Sequence, residues 1–524
     1  MPFRPLQWAR QTVGGRQDNS DGASLTNFYA VNPVSPEDAK SNVIIYGTPG
    51  HQQWLGINPK TFTPSGGSAI TPVSGVQGMV SIDSPTYGKR MFCITGGYQL
   101  AELRIGGRAN DIPPTYDPFT NAVANLRPGR LYQITEEPDN IIGYDDDMSE
   151  LVPVRMATDG RRIVFVSGRQ FYAYDMEDAQ FKSVVAPTPD DASATLPDEE
   201  WVDVMWSDGY FILLSRGGQI FHSLLNSLQF NQLDFGSASA GPDPIVGGAV
   251  FNRRLYIMGS RTIEQFYNSG STIFAYDRDN SFTAEIGAAS AASIQANEVG
   301  VFFLGSDGIV YMMTGPSIGR ISHEGIEYEI ARSDLSKARA FTYTEEGHRF
   351  YSLTIMDTDG SNRKNLTLDI TTKFWHWRTL TDVLASEEFE GQTMLGRERR
   401  PYLYAQKLDI GTNDAVSIRR EAISPVIHAN RQRFRQHSFE LDIARRHAFS
   451  ADETVSMSFS DDSKQTWKRT TDALPDGAPR KCNQTRIRWT ALGQSRNRHI
   501  RIVSNTTTRT DIIGAYTDFS VSGN

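Results

Sequence analysis

Residues 251–270 read FNRRLYIMGSRTIEQFYNSG. Two short apolar runs, LYIM at 255–258 and IEQFY at 263–267, flank Gly259, Ser260 and Arg261. Both runs are rich in β-branched and aromatic residues, which suit a pleated, half-buried surface. A few small residues between two such runs close a hairpin. The stretch is therefore expected to be one antiparallel hairpin. The same pattern recurs as DGRRIVFVSGRQFYAYD at 159–175, SDGYFILLSRGGQIFHS at 207–223 and NEVGVFFLGSDGIVYMMTG at 297–315. It returns at 346–370 with a longer turn, at 391–409 as GQTMLGRERRPYLYAQKLD, and in an earlier copy beginning at Tyr87.

Counted from the lead-in residues Arg161, Gly209, Arg253, Val299, His348 and Gln392, the steps are 48, 44, 46, 49 and 44 residues. A period of ~40–50 residues with several strands per repeat is the signature of a β-propeller. Each blade cannot bury both faces alone, so blades pack radially around an axis. A chance run of hairpins in another all-β fold is the competing reading, and the regular step argues against it. The expected fold is all-β, a β-propeller of six or seven blades with a C-terminal β-sandwich. Residues 1–50 are read as an N-terminal arm and first strand, 51–415 as the propeller with an insertion near 108–150, and 420–524 as the sandwich.

Composition bounds the rest. A chain of 524 residues exceeds one ordinary core. No apolar run approaches the ~20 residues of a transmembrane helix. The opening MPFRPLQWARQ lacks the apolar centre of a signal peptide, so the expectation is a chain made in a cytoplasm-like compartment. Two cysteines, Cys93 and Cys482, are too few for a disulfide framework. Cys93 reads as a small buried hydrophobe. The histidines form no H-x-x-x-H pair, and no zinc site is expected. Charge divides along the chain: from residue 396 on there are 22 Lys and Arg against 14 Asp and Glu, and before it 30 against 47. An acidic body disfavours tight DNA binding, which needs clustered Lys and Arg. It fits a surface that DNA passes without sticking, and equally ordinary solubilising charge.

Asp145, Asp146 and Asp147 could contact calcium, but the alternating acids of an EF-hand are absent, and a solvated acidic loop is the reading. The 108–150 segment is a candidate docking loop. The Ala-rich piece 285–294 is expected as a strand plus tight turn. Phe374, Trp375, His376 and Trp377 alternate as blade core, with a nucleotide-stacking platform as the sharper alternative. Alternating runs at 439–443, 455–459, 486–489 and 500–503 are expected as half-buried strands of the sandwich. Their outward Arg486, Arg488 and Arg501 would make a basic strip on one face, most simply a solvated one.

One motif has a name. Ser460, Asp462, Thr466 and Trp467 match the Asp box, S-x-D-x-G-x-T-W, of sialidase-like propellers, with Lys464 where that pattern has Gly. The box is a turn-stabilising device, with the Asp side chain capping backbone N–H groups. It occurs here once and does not imply a hydrolase. No G-x-S-x-G, P-loop or dinucleotide fingerprint is present, and no spacing points to a glycosidase carboxylate pair. No catalytic, cofactor-binding or metal residue is assigned, no cofactor is expected, and the chain is read as not an enzyme.

The string Gly259, Ser260, Thr262, Ile263, Glu264, Phe266, Gly270 resembles the packaged-DNA stabilisation (tail hub or head-closure) protein of short-tailed, podovirus-type phages. So do Ile286-Gly287-Ala288, the 301–304 and 310–311 runs, and the opening Tyr29, Val31, Asn32 with Thr48-Pro49-Gly50. The ending is similar too, from ELDI at 440–443 through SFSDDSKQTW at 458–467 to RIRWTALGQSRNRHIRIV at 486–503. The resemblance implies a structural virion protein, sited in the tail at the portal vertex and assembled in the host cytoplasm. It implies a ring of like subunits, a homohexamer, below the portal-adaptor complex. That ring would close the channel, retain the genome and seat the tail needle and the tailspikes or fibres, while DNA passes without sequence-specific binding. A carbohydrate-active propeller and a generic protein-binding propeller are the alternatives.

Overall fold

The structure is a computed structural model. It describes the chain outside residues 1–3, 7, 9–11, 13–21, 34–42, 58–59, 64–66, 73–74, 106–118, 121–125, 134–150, 178–179, 185–195, 198, 239–242, 272, 445–448, 451, 469–476, 483, 485 and 522–524. Each hairpin read from the sequence forms the middle two strands of a four-stranded antiparallel sheet. Among the described residues there are seven such four-strand units, five as separate sheets and two as parts of larger sheets, so the blade number is seven. From the innermost strand outward the first is Val76–Ser84, Gly88–Thr95, Gln99–Ile105 and Leu126–Gln133. The second is Met156–Thr158, Arg162–Ser167, Gln170–Asp175 and Gln180–Val184. The third is Trp201–Ser207, Tyr210–Ser215, Gln219–Ser223 and Phe230–Ser237, and the fourth Ile245–Phe251, Arg254–Gly259, Ile263–Asn268 and Tyr276–Ala284. The fifth is Gln295–Ala296, Val301–Leu304, Val310–Thr314 and Ser317–Arg320, and the sixth Arg339–Glu345, His348–Met356, Arg363–Asp369 and Phe374–Arg378.

The seventh blade is made from both ends of the propeller sequence. Val383–Phe389, Gln392–Arg397 and Tyr402–Lys407 supply three strands, and Gly50–Ile57 pairs antiparallel with Tyr402–Lys407 as the next. The strand at residue 50 thus does not start the first blade but completes the last one. A sheet edge left open there would be a site for slippage or wrong pairing. Closing it with a strand from ~350 residues upstream makes the ring topologically complete.

Middle-strand residues are buried on both faces, because each strand's alternate side chains feed two different inter-blade cores. In the second blade Ile163 and Phe165 pack toward Phe92 and Ile94 of the first. Val164 and Val166 pack toward Val204 and Phe211 of the third. The seam between last and first blade is built the same way, from Leu55, Met394 and Leu403 against Val76, Met91 and Cys93. Seven such cores, one between each neighbouring pair, close the circle.

The sandwich takes strands from both termini. One sheet runs Phe28–Val31, Ile44–Gly47, Ile512–Val521, Phe434–Ile443, Arg486–Ser495, with Arg4–Pro5 on Ile512–Val521. The other runs Ser24–Thr26, Arg420–Ile423, Asn497–Ser504, Thr454–Ser460, Ala478–Lys481. Residues 1–50, expected as an arm with one strand, therefore contribute four strands here. Leu25, Phe28 and Ile45 are fully buried in the sandwich core beside Phe439, Trp489 and Ile500, which an arm could not provide. Ser24–Thr26 also meets the outer strand of the sixth blade, where Thr26 pairs with Trp377.

Two local readings change. Residues 285–294 hold no strand; they form a turn and a 3-10 helix at Ala291–Ser293, with the Ser293 hydroxyl donating to Ser290 O at 2.7 Å. Gly287 is the reason for the turn: a Cβ there would lie 2.0 Å from the Ser260 carbonyl carbon. An α-helix at Glu324–Ile330, which no sequence reading anticipated, is capped by His323 accepting from Gly325 N–H and buries Ile326 and Ile330 one turn apart.

Candidate functional site at the propeller axis and the sandwich junction

The innermost strands of neighbouring blades are tied to each other by carboxylates. Asp203, fully buried on the third blade, pairs with Arg155 at 2.8 Å and accepts from the Gly248 N–H of the fourth blade at 2.9 Å. At the seam, Ser81 of the first blade donates its N–H at 3.2 Å and its hydroxyl at 2.6 Å to Glu387 of the seventh. Burial raises the pKa of both carboxyls. Where the innermost strands begin, a pocket of about 610 Å³ is lined by Val154, Trp201, Val202, Val246, Arg155 and Lys337. Where those of the fifth to seventh blades end, a polar pocket of about 320 Å³ is lined by Glu298, Thr342, Thr344, Arg349, Glu387 and Glu388.

The second feature is the buried junction between the sixth and seventh blades and the sandwich. Asn27, in the left-handed region at φ 55°, clamps three segments there. Its N–H donates to Trp377 O at 2.8 Å, its side-chain amide to Arg419 O at 2.8 Å, and its O accepts from Thr48 N–H at 2.9 Å. Beside it Arg509, 2% exposed, gathers Glu345, Glu346 and Asp511 at 3.1, 3.1 and 3.2 Å. Tyr29 donates its hydroxyl to Glu345 at 3.2 Å. Burial pushes the Glu345 carboxyl up to about 7, against the pull of Arg509. Arg420, fully buried, donates to Thr48 O at 2.7 Å. Burial, aided by the charge of Arg509, lowers it to about 10. This knot ties the N-terminal segment, the tip of the sixth blade and the last strands into one body.

The residues singled out in the sequence fall as follows. Ser460 to Thr466 form the expected turn after Thr454–Ser460. The Ser460 hydroxyl donates to Asp462 at 2.7 Å, and Asp462 accepts from Thr466 N–H at 2.9 Å and from the Thr466 hydroxyl. Those Thr466 bonds, with the one from Ser460, hold the Asp462 carboxyl down to about 2. Lys464 sits at φ 68°, which explains the glycine of the pattern at that place. Phe374 to Trp377 lie in the outer strand of the sixth blade. Trp375 is fully buried with its indole N–H on Ile321 O at 2.9 Å, and His376 is buried, so blade core is the correct reading and the stacking platform is excluded. Cys93 and Cys482 are buried thiols. The basic strip does not form. Arg486 and Arg488 stand on one sheet and Arg501 on the other. Arg486 faces Glu440 and Asp442 at 3.6 and 3.7 Å, and Arg501 lies 4.5 Å over the Trp467 ring. Asp145, Asp146 and Asp147 lie outside the described residues. Among the described residues no group of three His, Cys, Asp or Glu could hold a metal ion, and no helix is long and apolar enough to cross a membrane.

The sequence reading missed one surface. Leu224, Leu225, Leu233 and Phe235 on the third blade and Ile273 on the fourth are exposed, Leu233 at 71%. They sit on outer strands and the loops beside them, where a period-two pattern is broken by a bulge between Phe221 and Ser223 in the pairing of the third blade's outer strand. Exposed apolar side chains clustered on neighbouring outer edges are candidates for a contact surface.

No curated protein matches the chain. Among solved structures, the extracellular domain of the putative one-component system BT4673 from B. thetaiotaomicron is 10% identical, with a TM-score of 0.41, over 86% of this chain and 57% of that one. The RRP9 WD40 repeats give 9% and 0.37 over 69% of this chain and 99% of that one. A computationally designed protein gives 11% and 0.35 over 77% and 98%. Nothing about this chain rests on likenesses so distant. The family comparison is of another kind: residues 121–379, from the outer part of the first blade to the end of the sixth, match the family described as bacteriophage P22 Gp10, beta-propeller. That span includes the Gly259–Gly270 motif and the Gly287 turn it packs on, and through it the chain matches the phage-stabilisation β-propeller family.

Proposed function

We propose that this chain is the hub of a short phage tail. It assembles as a ring, a homohexamer, below the portal-adaptor complex. It closes the DNA channel, stabilises the packaged genome, and anchors the tail needle and the tailspikes or fibres. The observation that carries the reading is the family match over 121–379. The closed propeller supports it, because a part holding pressurised DNA must not open at a blade seam.

The duplex, whose major groove alone is ~12 Å wide, is taken to pass outside the axis of a single propeller. DNA would therefore run through the lumen between copies, past acidic propeller surfaces that do not hold it. The apolar outer edge of the third and fourth blades is the surface proposed for contact with neighbours in that assembly. Particles carrying a tagged copy of the chain test the location. Six-fold density beneath one vertex is the expected result; tag distributed over the capsid, or absent from purified particles, would refute it.

A further inference from the structure

Around Arg378, on the outer strand of the sixth blade, the junction holds more hydrogen-bond donors than it can satisfy. Arg378 is 5% exposed, lies 5.1 Å over the Tyr343 ring, and its Nε has no partner. Arg420 is fully buried with Nε and Nη1 unpartnered. The buried Tyr343 hydroxyl faces Arg378, and Gln406 Nε2 is buried and unpartnered too. So is Nε2 of His376, two residues along the strand from Arg378 and facing the same way.

These groups belong to one place. The charge of Arg378 acts on Tyr343, on His376, on Arg420 and on His51, which stands across the strand pair from Gln406. Asn27 brings the backbones of Arg378 and Arg420 together, bonding to residues 377, 379 and 419. The carboxylates nearby are committed elsewhere, since Arg509 gathers Glu345, Glu346 and Asp511. Arg378 and Arg420 feel Glu345, and Arg420 also Asp511, but the two guanidinium groups make no ion pair there, repel each other and leave N–H groups unpaired, each costing ~1–3 kcal/mol or more. Among the described residues the unpartnered acceptors here are Glu345 Oε2 and, with its Nδ1 on Asn413 Oδ1, Nε2 of His51.

We propose that this junction binds a small inorganic anion, chloride, held by Arg378 and Arg420 with Tyr343, Gln406 and His376 completing its shell. A monatomic anion accepts from divergent donors without demanding a planar arrangement, which suits donors arriving from two blades and the sandwich. The bound anion joins the propeller to the sandwich.

The test uses the full chain. Melting is followed as sodium bromide or chloride replaces sodium gluconate at constant ionic strength, and crystals grown in bromide are measured for anomalous scattering. The expected results are a saturable rise in melting temperature with halide and an anomalous peak between Arg378 and Arg420. In Arg378→Met the halide needed for half the effect rises roughly tenfold or more, as expected for loss of a charged hydrogen bond. Should that variant not fold, the bromide peak in the wild-type chain decides alone. No peak there, an ordered water bridging Arg420 to Glu345 instead, or a halide effect unchanged in Arg378→Met would overturn the proposal.

Discussion

Glu345 shows how a single residue carries information about assembly. Its carboxyl is fully enclosed and pushed up to about 7 by burial, from an ordinary value of 4.5. The folded state therefore holds the proton to higher pH than the unfolded state does. Stability from this group is fully present below pH 4.5 and is lost as pH rises toward 7. Over that window the loss is on the order of 3 kcal/mol. Glu345→Gln is expected to flatten this part of a stability-versus-pH curve, because Arg509 keeps Glu346 and Asp511. A chemical-denaturation series from pH 4.5 to 8 checks it; unchanged curvature in the variant would count against the buried, proton-holding carboxyl. Gly287 makes a steric prediction. Alanine there places a Cβ 2.0 Å from Ser260 backbone, so Gly287→Ala should destabilise by about 1–3 kcal/mol or more, read by thermal melting. An unaltered melting temperature would mean that the turn has slack.

At the scale of the element, the seventh blade matters most. Leu55 is 1% exposed in the seam between last and first blades. Leu55→Ala is expected to cost about 2–5 kcal/mol. It should also speed proteolysis at that seam ahead of other blades; uniform digestion would argue that closure is not the weak point. The middle hairpins were legible because both faces of each strand are buried, leaving continuous apolar runs such as IVFV at 163–166 around turns with a glycine. The outer strands were not. Tyr276–Ala284 reads YDRDNSFTA, with one face in solvent and a bulge opposite Glu264 and Phe266. The destination of Gly50–Ile57 was illegible for another reason: its partner Tyr402–Lys407 lies ~350 residues away, and no local pattern encodes so distant a pairing. The sandwich strands of the N-terminus were hidden likewise. Of the site features, the Asp-box turn was readable from its four side chains. The Arg509 knot was not, because it gathers single residues from five separate segments.

For the whole molecule, charge and shape point the same way. The first 395 residues carry 30 Lys and Arg against 47 Asp and Glu. Binding to duplex DNA should therefore be weak and show a shallow salt dependence, since few phosphates are neutralised. Fluorescence anisotropy with a labelled duplex measures this; submicromolar binding at physiological salt would contradict the picture of a surface that DNA passes. The central claim is that the chain closes the head after packaging. Particles made without it can be assayed for DNA content immediately after packaging and again after storage, with and without purified chain added back. The account predicts heads that fill, then lose DNA, and that keep it when the chain is restored. Heads that retain their DNA in its absence would contradict the account.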